Sequence, residues 1–236
     1  MKLDFKLKPM PQNLESHRRY TMAQRVFDVL KQAIIQLQLR PGNLISEAEI
    51  AKQLGLSRQP VREAFIKLAD VGLVEVRPQR GTFVMYISRK EVENARFIRE
   101  AIEVAVVKKA AIGASDEDIT GLWQLIERQQ FDDQNGDPVS FMQHDEEFHL
   151  AIATAAGCQH AWRIIENLKA QMDRVRFIAL DNATPLKTLI EQHEMVVSAV
   201  AERAPELAGE AMRLHLAEIV ISLPKIVADN SEIFVD

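Results

Sequence analysis

The chain has 236 residues, 47% of them hydrophobic and 27% charged, with 9 Gly and 9 Pro; this composition excludes disordered and collagen-like chains and supplies one or two hydrophobic cores. No stretch approaches the roughly 20 uninterrupted apolar residues of a membrane span, and the opening MKLDFKLKPMPQ lacks the apolar run of a signal peptide, so a cytoplasmic protein is expected. The net charge of −5 divides unevenly: residues 1–87 hold 14 Lys and Arg against 8 Asp and Glu, a balance of +6, whereas residues 88–236 hold 15 against 26, a balance of −11. A basic N-terminal piece on an acidic body fits a nucleic-acid-binding domain carried on a partner or sensor domain. The single cysteine, Cys158, rules out an internal disulfide and reads as a lone buried thiol.

Residues 1–20 read as an N-terminal extension. A first amphipathic helix follows, with Phe27, Leu30, Ile34 and Leu37 at helical spacing before the Arg40-Pro41-Gly42 break. Ser46 with Glu49 predicts a capping box opening a short helix that ends at Gly55. Ser57 then caps another, with Pro60 tolerated in its first turn. In that helix Val61, Ala64, Phe65 and Leu68 form the apolar stripe, while Arg58, Gln59 and Arg62 lie towards the other side, and Gly72 ends it. Two β-prone runs, Leu73 to Arg77 and Thr82 to Tyr86, are joined by Pro78-Gln79-Arg80-Gly81 as a hairpin with a basic tip. Residues 21–87 thus predict a winged helix-turn-helix. Its second helix would enter the major groove with Arg58, Gln59 and Arg62, and Arg80 and Gly81 in the wing would reach the backbone or minor groove.

Here the segment PGNLISEAEIAKQLGLSRQPVREAFIKLADVGLVEVRPQRGTFV resembles the DNA-binding domain of the GntR family of bacterial transcription regulators, with SRQPVREA and the RGTFV wing as its specific parts. The resemblance implies that Arg58 and Arg62, with Ser57, Gln59 and Gly81, occupy the family's DNA-contacting positions. Many members carry a basic residue where this chain has Ala48, which removes one contact and shifts the expected sequence preference.

From residue 88 the signals are helical throughout. Starts are marked by Ser88 with Glu91, Ser115 with Asp118, Asp137 before Pro138, Thr184 before Pro185, and Pro205, and Gly157 marks a stop. Six helices are expected, near 88–112, 115–134, 138–156, 159–181, 185–203 and 205–228, as an antiparallel bundle over residues 88–228 followed by a tail at 229–236. The fold class is therefore mainly α. This half is similar to the helical effector-binding domain of the FadR-type branch of GntR regulators, of the FCD kind.

Periodicity alone places the histidines. Phe141, Asp145, Phe148, His149 and Ile152 share one stripe, so Asp145 and His149 are neighbours about 6 Å apart along the helix axis. His193 aligns with Leu189 and Val200, and His215 aligns with Ala208, Met212, Ile219 and Ser222. A buried carboxylate beside several imidazoles is costly to leave unpaired, and one divalent cation would bind all four groups. Taken singly, each histidine also fits a hydrogen-bonded core residue. The FCD resemblance implies the metal, because Asp145, His149, His193 and His215 fall where metal-binding members carry one Asp and three His; zinc or nickel suits such ligation. His17, His144 and His160 join no such set.

Arg99 lies near the apolar stripe of the first bundle helix and matches a recurrent FCD arginine that resembles a clamp for an acidic effector; a plain helical ion pair with Glu103 is the alternative. The expected protein is a homodimeric transcription regulator, not an enzyme. Its affinity for a double-stranded operator would respond to a small carboxylate or sugar acid bound beside the metal. Two other classes stay in view: a metal-dependent hydrolase, for which no catalytic base accompanies the ligands, and an architectural DNA-binding dimer without a ligand.

Overall fold

The structure, a computed structural model, describes residues 21–182 and 184–236; the N-terminal extension 1–20, with His17, lies outside the described residues. The chain forms two compact units, one comprising the residues up to Ser88 with Glu232–Asp236, the other Arg89–Ser231.

In the first unit, α1 (Met22–Ile35) is capped by Thr21, whose side chain accepts from Gln24 N, and buries Val26, Leu30, Ala33 and Ile34. Phe27 is only half-buried, and Leu37 lies past the helix end at φ 54°, so the buried stripe is displaced from the one predicted. The next elements are β1 (Leu44–Ile45), α2 (Glu47–Leu54), α3 (Arg58–Asp70), β2 (Val74–Arg77) and β3 (Gly81–Val84). The sheet is antiparallel in the order β1-β3-β2. Gly55 closes α2 at φ 67°, a left-handed conformation that lets the chain turn at once into α3. Ser46 and Ser57 stand at the N-caps, but neither side chain makes the capping hydrogen bond. The predicted capping box at Ser46 is therefore not formed; Glu49 accepts instead from Gln53 Nε2, one helical turn on. Val61, Ala64, Phe65 and Leu68 of α3 are all buried, as their spacing predicts. After the wing, β4 (Ile87–Ser88) pairs in parallel with β5 (Phe234–Val235), and the Ser88 hydroxyl donates to Asp236 Oδ2.

The second unit holds seven helices among the described residues: α4 (Arg89–Gly113), α5 (Asp116–Asn135), α6 (Pro138–Ala155), α7 (Gln159–Leu168), α8 (Ala170–Asn182), α9 (Leu186–Ala201) and α10 (Pro205–Asp229). The predicted helix over 159–181 is two, broken at Lys169. That side chain is fully buried at the interruption, with Nζ held by Glu146 of α6 and by Asp173, while the backbone there keeps a helical conformation at φ −83° and ψ −1°. The capping box at Ser115 and Asp118 forms, and Asp137 caps α6 by accepting from Ser140 N. Thr184 does not cap α9; it is buried, and its hydroxyl pairs with that of Ser222 on α10. Helices α4 and α10 run antiparallel, tied by Lys108 to Glu206 and by Glu100 to Arg213. Val107, Leu122, Phe141, Phe148, Val196 and Met212 fill the core between the helices. Cys158 is half-buried rather than buried, because it sits at the N-cap of α7 with Lys109 Nζ 3.4 Å from its sulfur. No helix among the described residues is long and apolar enough to cross a membrane.

Candidate metal centre and nucleic-acid interface

Three helices bring the four predicted ligands together. Asp145 and His149 stand one turn apart on α6, His193 lies on α9 and His215 on α10, and all four are buried. One ligand atom from each falls within 4.8 Å of the others. His215 Nε2 is 3.2 Å from His149 Nε2 and 3.3 Å from His193 Nε2, while Asp145 Oδ1 is 3.6 Å from His193 Nε2. Trp162 stacks on His149, its ring 3° from parallel at 5.9 Å.

The opposite nitrogen of each ring meets an acceptor. His149 Nδ1 lies 2.5 Å from Glu103 Oε2, His193 Nδ1 lies 2.8 Å from Gln129 Oε1, and His215 Nδ1 lies 3.3 Å from Gln192 Oε1. With protons on Nδ1, the three Nε2 lone pairs face one another. At such separations they repel unless a cation or a proton lies among them. Burial opposes the proton: it holds His215 well below the usual imidazole range and, though Asp145 pulls the other way, pushes His193 down to about 3. Burial disfavours the Asp145 carboxylate, but the Arg176 guanidinium beside it reverses this and keeps it ionised. Likewise burial disfavours the Glu103 carboxylate, but Arg99 and His149 reverse this and lower it to about 2. Three neutral imidazoles and one carboxylate are the donor set that a divalent transition metal takes.

A cavity of about 50 Å³ opens beside the cluster. Its lining includes Arg96, Arg99 and Arg176, with Asp145 and His215 from the cluster itself and apolar residues that include Leu189 and Leu216. Arg99 is 3% exposed; its Nε donates to Glu103 Oε1 at 2.5 Å, yet its Nη2 is buried without a hydrogen-bond partner. The helical ion pair with Glu103 is therefore formed, and one nitrogen of the guanidinium stays without a hydrogen-bond partner. Arg176 pairs with both Asp145 and Asp173, and Asp173 with Lys169. His144 joins Asp132 through Nδ1 at 2.6 Å, outside the cluster, and His160 is exposed at the start of α7.

Sequence reasoning missed Gln129, Gln192 and Arg176. Gln129 carried a usable signal, because it continues the α5 stripe of Leu122 and Ile126 and is wholly buried. Arg176 carried none, since its partner Asp145 is 31 residues away.

In the first unit, Ser57, Arg58, Gln59 and Arg62 are exposed at the start of α3, and Arg80 and Gly81 are exposed in the wing. Gln59 donates to Glu63 Oε1, and Arg62 rests 3.4 Å from Glu47 of α2. Gly81 has φ 106°, and a Cβ there would stand 2.5 Å from Leu44 Cδ1, so the tight return of the wing requires glycine. Arg77 lies over the Phe83 ring at 4.9 Å, stiffening the wing across its two strands.

Comparison with known proteins accounts for both units. Residues 22–84 match the profile described as bacterial regulatory proteins, gntR family, and residues 95–218 match the FCD domain. The chain is 41% identical over 218 residues to the HTH-type transcriptional repressor RspR of Escherichia coli (strain K12), covering 89% of this chain and 92% of that protein. It is 25% identical over 184 residues to the Nta operon transcriptional regulator of Aminobacter aminovorans, covering 77% of this chain and 85% of that protein. Among solved structures, E. coli McbR/YncC shares the fold with a TM-score of 0.77 at 23% identity, covering 87% of this chain and 98% of that one. With a winged helix-turn-helix of the gntR type and an FCD domain in one chain, this protein belongs to the gntR family of bacterial transcription regulators, in its FadR-type architecture.

Proposed function

We propose that this DNA-binding regulator is controlled by a small organic acid that binds beside a divalent metal, zinc or nickel, held by Asp145, His149, His193 and His215. The observation that carries the metal is the convergence of three Nε2 lone pairs beside a buried carboxylate. When bound, the ion supplies Lewis-acid positions for ligand oxygens. The acid is supported by three arginines in the lining of one small cavity and by the unpartnered Arg99 Nη2. Elemental analysis of protein purified without a histidine tag tests the metal directly: absence of any divalent ion, with no uptake of added zinc or nickel, overturns it.

The working form proposed is a homodimer presenting two α3 helices to a near-palindromic operator. An exposed apolar stripe supports it: Leu207, Leu214 and Ile221 recur every seventh residue of α10, and Phe97 and Ile112 are exposed on the adjoining α4. Equilibrium ultracentrifugation tests the dimer, and a monomer at micromolar concentration refutes it.

Two further outcomes are expected. Arg58→Ala and Arg62→Ala should each weaken binding to a selected operator by about 1 to 3 kcal/mol if a bidentate base contact is lost, with the helical unit unchanged. Unaltered affinity of both variants at fixed salt refutes the assignment of α3 to the groove. Arg99→Ala should abolish the response to an acid found by ligand-screening thermal shift, while retained zinc affinity shows that the cluster survives. A variant that keeps the full response removes Arg99 from the ligand site.

A further inference from the structure

We propose that Gln129 and Gln192 are positioning residues that fix His193 and His215 as Nε2 donors, and so set the strength and geometry of the metal site; the inference rests on the metal reading above. Each amide is held at both ends. Gln129, on α5 and wholly buried, accepts from His193 Nδ1 at 2.8 Å while its Nε2 donates to the backbone carbonyl of His144 at 3.3 Å. Turning that amide over would set Oε1 against a carbonyl oxygen and an NH2 against Nδ1, two repulsive contacts in place of two hydrogen bonds. Gln192, on α9, accepts from His215 Nδ1 at 3.3 Å and donates Nε2 to Glu218 Oε2 at 3.1 Å. Its orientation is fixed in the same way, by a carboxylate on the helix that carries His215.

A ring whose Nδ1 must donate can only present a lone pair at Nε2, which is the nitrogen facing the cluster in both cases. The choice of amide over carboxylate has a consequence of its own. Asp145 and Glu103 already bring two negative charges to the cluster, and the neutral glutamines orient the remaining rings without adding a third and a fourth. His149 is thus the one ring backed by an anion, and His193 and His215 are backed by neutral dipoles.

The test measures zinc affinity of the full chain by competition with a chromophoric chelator, with no effector present. Gln129→Met and Gln192→Met keep the side-chain length and remove the hydrogen bonds; each should bind zinc about 10- to 100-fold more weakly. Far-ultraviolet circular dichroism and the melting temperature of the metal-free forms check that the bundle is retained. A charge exchange supplies the readout that a merely structural role would not move. Gln192→Glu alone sets two carboxylates against each other at Glu218 and should bind zinc at least about tenfold more weakly, whereas Gln192→Glu combined with Glu218→Gln restores one acceptor towards His215 and one donor towards that acceptor. The double variant should recover to within about threefold of the wild type. Methionine variants that bind zinc like the wild type, or a double variant no better than Gln192→Glu alone, overturn the positioning role while leaving the metal site standing. A wild-type chain that binds no zinc or nickel overturns both together.

Discussion

Zinc at a free concentration a thousandfold above its dissociation constant should raise the melting temperature of the helical unit by roughly 8 to 16 °C, and a strong chelator should remove the increment. The size follows from mass action: a ligand that binds the folded form alone contributes about 4 kcal/mol at that ratio, and a domain of this length shifts by about 2 to 4 °C per kcal/mol. The folded form has the advantage because its ligands come from α6, α9 and α10, and the unfolded chain does not hold them together. His193→Ala and His215→Ala should each lose most of the increment. Trp123 and Trp162 are the only tryptophans and both lie in the helical unit, so their fluorescence follows its melting without a contribution from the winged helix. Identical melting curves with zinc and with chelator would return the three histidines to the role of hydrogen-bonded core residues.

The elements that carry short-range signals were readable in the sequence. The α3 stripe of Val61, Ala64, Phe65 and Leu68 is buried as its spacing requires, and the glycine, proline and Ser115 boundaries hold. The break at Lys169 was not readable. No glycine or proline marks it, and helical hydrogen bonding continues through it, from Lys169 N to Ile165 O and from Asp173 N to Lys169 O. What marks the position is the burial of its ammonium against Glu146 of α6, and that contact is tertiary. The strand pairing of Ile87–Ser88 with Phe234–Val235 is longer in range still, its side-chain link joining residues 148 apart.

The candidate site divides along the same line. Helical periodicity put Asp145, His149, His193 and His215 on inward faces, and three inward faces around one core must meet. Which atoms turn towards one another is decided by Glu103, Gln129 and Gln192, each reaching a histidine on another helix or, for Gln192, on the following one. Periodicity carries no information on ring orientation. Arg99 shows the limit most clearly: spacing offered a choice between Glu103 and a ligand, whereas the geometry pairs Nε with Glu103 and leaves Nη2 buried without a partner.

The metal-free helical unit should lose about 2 to 4 kcal/mol of stability between pH 7 and pH 5, read from urea unfolding followed by tryptophan fluorescence. The sign comes from burial of the neutral rings. Burial foremost pushes His193 down to about 3 and His215 well below the ordinary imidazole value near 6.5, so between these limits the unfolded chain takes up protons that the folded chain refuses. The stability is therefore present above pH 6.5 and lost as the pH falls, at up to about 1.4 kcal/mol per unit for each such histidine. Glu103, lowered to about 2, behaves as a carboxylate whose stabilising contribution is retained until the pH falls through the range from about 4.5 to 2, so it adds nothing to the first part of the loss. His193→Gln should reduce the change between pH 7 and pH 5, because it removes that ring's share of up to about 1.4 kcal/mol per unit. A stability that stays level over that interval, in protein shown by elemental analysis to be metal-free, would mean that the folded rings take up protons as readily as the unfolded chain, and that burial does not keep them neutral.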